Sequence, residues 1–309
     1  MTEVPLAFDW RGLTLVGTFH LPDRTGRHPV VVMIQGSGPS DRTSNGFFPP
    51  IRDVFLNRGI GTFAFDKPGC GESTGDWRNY ALEARADQVV GAIETVRQLE
   101  SVNSAMVGVW GQSQGGWLVQ MLASRHRLPF AVANSGPTIN VPDQDLYSCE
   151  HTMRAAGSSE SDIRLAVEFE ANVHTAAKAG LAYEAVEAEL IEAARSQPWY
   201  GYTGIEDELD WRLVCEFLAE EYDPLAALRQ VKSPYLAIYG GRDVLLPPWK
   251  SAKDCGTALQ TAGNPDSTVV VFPDGSHRLQ ASNSDAFVPG YLDLLSDWTA
   301  SRITFQPRP

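Results

Sequence analysis

The chain has 309 residues, 43% hydrophobic and 20% charged, enough for one large core or a core with an insertion. Its formal net charge of −13 keeps it soluble and argues against nucleic acid or an anionic membrane surface as partner. No basic segment followed by an apolar one opens the chain, no apolar run is long enough to span a membrane, and Cys70, Cys149, Cys215 and Cys255 form no Cys-x-x-Cys pair. These features predict free thiols and a soluble cytoplasmic protein acting on a small molecule, with the oligomeric state, a homo-oligomer included, left open.

In chain order, Leu13 to Leu21 is rich in strand formers and ends at Pro22. Pro29 to Ile34 is a continuous apolar run, as expected of a parallel strand buried on both faces. It stops at the loop Gln35-Gly36-Ser37-Gly38-Pro39. Further short apolar runs cover Ile60 to Phe65, Ala105 to Trp110, Phe130 to Ala133, Tyr235 to Tyr239 and Thr268 to Phe272. Between them, Leu82, Ala86, Val89, Ile93 and Val96 fall at helical spacing, predicting a helix over Ala81 to Leu99. Phe287, Tyr291, Leu294 and Trp298 predict another near the end. Strands alternating with helices imply an α/β protein with a mainly parallel sheet.

One region breaks this rhythm. From about Asn140 to Leu228 no strand is evident, and helical stretches cover Asp162 to Ala179, Ala182 to Arg195 and Glu206 to Glu221. The expected organisation is a core of residues 1–139 and 229–309, with 140–228 inserted as a helical block.

The chemistry-bearing stretch is Val107 to Gly116. A strand-like run ends in Gly111-Gln112-Ser113-Gln114-Gly115, and a helix-compatible run follows. Strand, tight turn and helix in this order form a nucleophile elbow, in which flanking glycines leave room for a strained central serine. Ser113 is therefore the candidate nucleophile. A serine hydroxyl needs a base, usually a histidine oriented by a carboxylate. Of six histidines, His277 lies in a loop directly after an apolar run, where an open α/β sheet places its site. Asp243 is the first acidic residue after the Tyr235 run and follows Gly240-Gly241. Asp274, three residues from His277, and Asp143 are rivals. The developing oxyanion needs preorganised donors. The expected donors are the backbone N–H groups of Gln114 and Ser37.

These residues resemble the α/β-hydrolase superfamily. The order Ser113, Asp243, His277 is that of its catalytic triad. Asp66-Lys67-Pro68-Gly69-Cys70-Gly71-Glu72-Ser73 is similar to its Asp-x-x-Gly-x-Gly-x-Ser segment. Gln35-Gly36-Ser37-Gly38 is similar to its His-Gly-x-Gly oxyanion loop, with Gln in place of His. Gly-x-Ser-x-Gly-Gly resembles the dienelactone-hydrolase-like and prolyl-oligopeptidase-like branches. The resemblance implies that the 140–228 block is a cap over an α/β-hydrolase core. Its aromatics Trp199, Tyr200, Tyr202 and Trp211 are candidates to line an apolar pocket, with packing inside the cap as the alternative and commoner role. The resemblance also implies a serine esterase working through an acyl-enzyme with no metal or cofactor. The same triad serves C–C bonds of the β-diketone type, peptides and thioesters, and the fold also serves non-catalytic receptors and scaffolds.

Overall fold

Eight apolar or alternating segments form strands in the computed structural model, which describes residues 1–282 and 284–304. They are β1 (Thr2–Trp10), β2 (Leu13–Leu21), β3 (His28–Ile34), β4 (Gly61–Phe65), β5 (Val102–Gln112), β6 (Ala131–Asn134), β7 (Tyr235–Gly240) and β8 (Ser267–Phe272). They make one sheet in the order β1-β2-β4-β3-β5-β6-β7-β8. β2 pairs antiparallel with β1 and β4, while the pairs from β4 through β8 are parallel. β1 is a strand that the sequence reading left out. It is an edge strand whose inward residues Val4, Leu6, Phe8 and Trp10 alternate with polar or small ones, and Arg11-Gly12, both at positive φ, turn it into β2.

The helices are α1 (Phe48–Asn57), α2 (Leu82–Arg97), α3 (Gln114–Arg125), α4 (Val141–Ala155), α5 (Glu160–Lys178), α6 (Tyr183–Val186), α7 (Glu192–Ala194), α8 (Glu208–Ala219), α9 (Pro224–Leu228), α10 (Pro248–Thr261) and α11 (Tyr291–Thr304). A π-helical turn, Glu187–Ile191, joins α6 to α7. α1, α4, α9 and α10 start with proline at their first or second position, where its missing N–H costs nothing. The last helix begins at Tyr291, four residues after Phe287, because Pro289 and Gly290, the latter at φ 83°, intervene.

The continuous apolar strands are buried on both faces. On one face Val30, Val32, Ile34, Val107, Val109, Ala237 and Tyr239 pack against α2, α3 and α10. On the other, Val31, Met33, Trp110, Leu236 and Ile238 pack against α1 and α11. Burial of each such side chain contributes roughly 1.5–3 kcal/mol, against about 1 kcal/mol for a typical net hydrogen bond. The helical layers, more than the ladder, therefore stabilise these strands.

Between β6 and β7 the chain builds a third cluster from helices and the turns that join them. Ile163, Ala166, Phe169, Val173 and Ala177 form the inward stripe of α5 and meet Cys149, Met153, Trp199, Trp211 and Leu218. This block is tied to the sheet layer at its rim. Arg78 donates to Asp207 at 2.9 Å, and Glu220 accepts the backbone N–H groups of Leu82 and Glu83, each at 2.9 Å, at the start of α2. A carboxylate at that helix N-terminus also meets the positive end of its dipole.

Candidate active site

Ser113 occupies the single position between β5 and α3, with φ 58° and ψ −121°. Backbone in that region costs about 1–3 kcal/mol and persists only when its surroundings enforce it. Here Ser113 N donates to Asn134 O at 2.9 Å, and Ser113 O accepts from Gly116 N at 2.7 Å. The flanking glycines are required by close approach. A Cβ on Gly111 would lie 2.3 Å from Gly115 O, and one on Gly115 would lie 2.5 Å from Ile34 O. The Gly-x-Ser-x-Gly spacing encodes this fit.

His277 and Asp243 meet as the sequence suggested. His277 Nδ1 lies 2.7 Å from Asp243 Oδ2. An ionised carboxylate only accepts, so Nδ1 donates, and in the neutral ring Nε2 is the nitrogen with a free lone pair. That Nε2 is buried without a hydrogen-bond partner. Asp243 is buried, and its other oxygen accepts from Leu245 N at 2.8 Å and Leu246 N at 3.3 Å. The β7 and β8 loops can touch because Gly240 lacks a side chain; a Cβ there would lie 2.0 Å from Ser276 O. The β6 end joins the parts. Asn134 O holds Ser113 N, while the next residue's hydroxyl, Ser135 Oγ, donates to His277 O at 2.8 Å. Asp274 points elsewhere, accepting from Arg242 at 2.6 Å on the surface, and Asp143 sits in the first turn of α4.

The loop after β3 lies against the serine: a Cβ on Gly36 would stand 3.2 Å from Ser113 Cβ. Gln35, where the resemblance expects His, donates to Phe65 O at 2.5 Å and Asp41 O at 3.1 Å, tying the loop to β4. Two buried basic side chains that the sequence reading did not single out hold the next peptides. Lys67 Nζ donates to Gly36 O and, at 2.6 Å, to Gly38 O; Arg85 donates to Gly36 O at 3.4 Å. In a trans peptide the C=O and the following N–H point in opposite directions. Drawing Gly36 O toward Lys67 therefore turns the Ser37 N–H away from it. Burial pushes the Lys67 amine well below its ordinary value and lowers Arg85 to about 10. Gln114 N, at the first position of α3, is one of the helix donors without an intrahelical acceptor.

Ser37, Ser113 and Gln114 line a cavity of about 350 Å³ whose opposite wall comes from the inter-strand helices, including Asp145, Glu170, His174 and Phe217. Tyr202 lines it, as the sequence reading allowed. Trp199 and Trp211 do not. They are 6% and 4% exposed and pack inside the helical cluster, Trp199 with its ring 5.4 Å from that of Phe169. As large aromatics they gain more by filling that separate core than by facing a wet cavity. Among the described residues no group of His, Cys, Asp or Glu is arranged to hold a metal ion, and no helix is long and apolar enough to cross a membrane.

Known proteins resemble this chain in sequence or in fold. An uncharacterized 31.7 kDa protein from the traX-finO intergenic region of Escherichia coli is 23% identical over 235 residues, 75% of this chain and 78% of its own. The structure of the α/β hydrolase GrgF from Penicillium sp. sh18 superposes with TM-score 0.65 at 18% identity, covering 99% of this chain and 100% of that one. The Pyrococcus furiosus esterase Pf2001 superposes with TM-score 0.63 at 15% identity, covering 98% and 90%. Residues 31–289 match the model of the alpha/beta hydrolase family, and with that match spanning most of its length, this chain belongs to the alpha/beta hydrolase family.

Proposed function

We propose that the protein is a serine hydrolase that cleaves a carboxylic ester through an acyl-enzyme. The observation that carries this reading is the His277–Asp243 hydrogen bond, which leaves His277 Nε2 buried and unpartnered in a loop pinned to the end of β6, where Asn134 O also holds Ser113 N. Ser113 Oγ attacks the ester carbonyl while Nε2 takes its proton and Asp243 stabilises the imidazolium. The N–H groups of Ser37 and Gln114 donate to the developing oxyanion, worth about 3–4 kcal/mol for one such donor. Collapse of the tetrahedral adduct expels the alcohol, which takes the proton from His277. Water, deprotonated by Nε2, then attacks the acyl carbon and releases the acid and Ser113. The helical block of residues 140–228 serves as a cap, since it supplies the wall opposite the serine and limits what enters.

Labelling by a fluorophosphonate probe tests the mechanism directly. The wild-type protein is expected to label at Ser113, and Ser113→Ala to lose labelling and about 10⁴–10⁶ in kcat on a p-nitrophenyl ester. Near-normal turnover by Ser113→Ala would overturn the triad; absence of labelling in a folded wild-type protein would favour a non-catalytic role. A panel of esters, thioesters, amides and β-diketones ranks the bond classes, with the ester expected first.

A further inference from the structure

The wall facing Ser113 is acidic. Among the described residues the cavity is lined by Asp145, Glu170 and Asp210 and by no lysine or arginine. Two of these carboxylates have basic side chains beside them. Asp145 lies 3.4 Å from His174 Nε2, and Asp210 lies 3.7 Å from Arg78. Glu170, one helical turn before His174 on α5, has neither lysine nor arginine beside it and is 8% exposed. Burial pushes its carboxyl up to about 7, Asp145 adds to the rise, and His174 and the Gly204 N–H oppose it.

A carboxylate kept this dry is costly unless a cation or several donors reach it. It is placed on the surface of the substrate cavity rather than in the helical core, so a ligand can supply that partner. A second observation points the same way. Gln114 is 7% exposed and lines the same cavity, and its Oε1 acceptor has no donor among the described residues. Tyr202 and Phe217 add aromatic walls of the kind that attract ammonium groups.

Resting on the esterase reading above, we propose that the substrate carries a basic nitrogen, and that its protonated amine binds in the cavity against Glu170, with Asp145 contributing to the field, while Gln114 Oε1, on the Ser113 side, accepts from a second donor of the substrate. The ester carbonyl then reaches Ser113 from the opposite end. Positioning by a buried charge at the far end of a small substrate would act on kcat/KM, because the ion pair is present in both the bound substrate and the transition state.

The test uses dimethylaminoalkyl acetates with two to five methylenes and their neutral carbon isosteres, in which CH replaces the protonated nitrogen. At one spacer length or more the wild-type protein is expected to favour the cationic ester at least about tenfold in kcat/KM. In Glu170→Gln that ratio is expected to fall about tenfold or more. Equal rates for cationic and neutral esters at every spacer length would overturn the proposal, as would a ratio that Glu170→Gln leaves unchanged. If Glu170→Gln does not fold, protection of the wild-type protein decides: n-butylammonium should slow fluorophosphonate labelling and n-butanol at equal concentration should not. Equal effects of the two would overturn the proposal. Failure of the esterase reading looks different, as neutral and cationic esters alike would go unhydrolysed and Ser113 would not label.

Discussion

Asp243 illustrates how much a single residue's placement depends on backbone. Its Oδ1 is held by two N–H groups of its own loop, so Oδ2 is left aimed at His277 with little freedom. Asp274 is nearer to His277 in sequence, yet its carboxylate is engaged with Arg242 in solvent. Asp243→Asn is expected to keep the fold and to lose about 10⁴ in kcat, because an amide favours the wrong histidine tautomer. Asp274→Asn removes only a surface pair and should change kcat by less than about threefold. Steady-state kinetics on one p-nitrophenyl ester checks the ranking, and a larger loss for Asp274→Asn would show that the acid has been misassigned.

At the scale of elements, the β3 loop is shaped from outside itself. Its glycines let it lie against Ser113, but its carbonyls are turned by Lys67, which follows β4, and by Arg85 on α2. A buried amine gains little net stability from such bonds once its desolvation is counted. Its effect falls instead on the direction of the Ser37 N–H. Lys67→Met, similar in length and apolar, is expected to lower kcat by about 10²–10³, the loss typical of one oxyanion donor, while KM moves much less. Thermal unfolding of the variant separates a misdirected loop from a damaged fold. A KM effect as large as the kcat effect would mean that the loop holds substrate rather than the transition state.

Across the whole molecule, one sheet-facing core and the helical core meet around one cavity, with Trp117 and Val141 from the first and Ile205 and Val214 from the second. Which aromatic faces which core decides its role. Trp211 is enclosed by the helical cluster, so Trp211→Ala should cost about 3–5 kcal/mol in stability and lower Tm without reordering the preference among ester chain lengths. Phe217, one turn and a half further along α8, lines the cavity, and Phe217→Ala should shift the relative kcat/KM of short and long acyl esters by about tenfold. Denaturant melts and a chain-length series on the two variants read these effects separately. A selectivity change confined to Trp211→Ala would place that residue on the substrate path after all.

The features legible in the sequence are those written in local spacing. The glycines around Ser113 sit two residues either side because β5, the turn and α3 collide with anything larger, and that requirement leaves a readable motif. Apolar runs of strand length and the three- and four-residue spacing in α2 and α5 likewise follow from backbone periodicity alone. A histidine and an aspartate each placed just after an apolar run indicate the strand ends where such a site is built. β1 carried the same kind of signal in its alternation, although Pro5 interrupts the pattern. Tertiary structure alone decided what depends on which distant faces meet. Lys67 and Arg85 are ordinary cations in sequence until folding buries them beside Gly36. Trp199 and Trp211 look as fit for a pocket as Tyr202 and Phe217, and only the packing of the inserted helices and their connecting turns puts the first pair in the helical core and the second on the cavity that Ser113 lines. Periodicity states which residues share a face of one helix; it carries no information on what that face will meet.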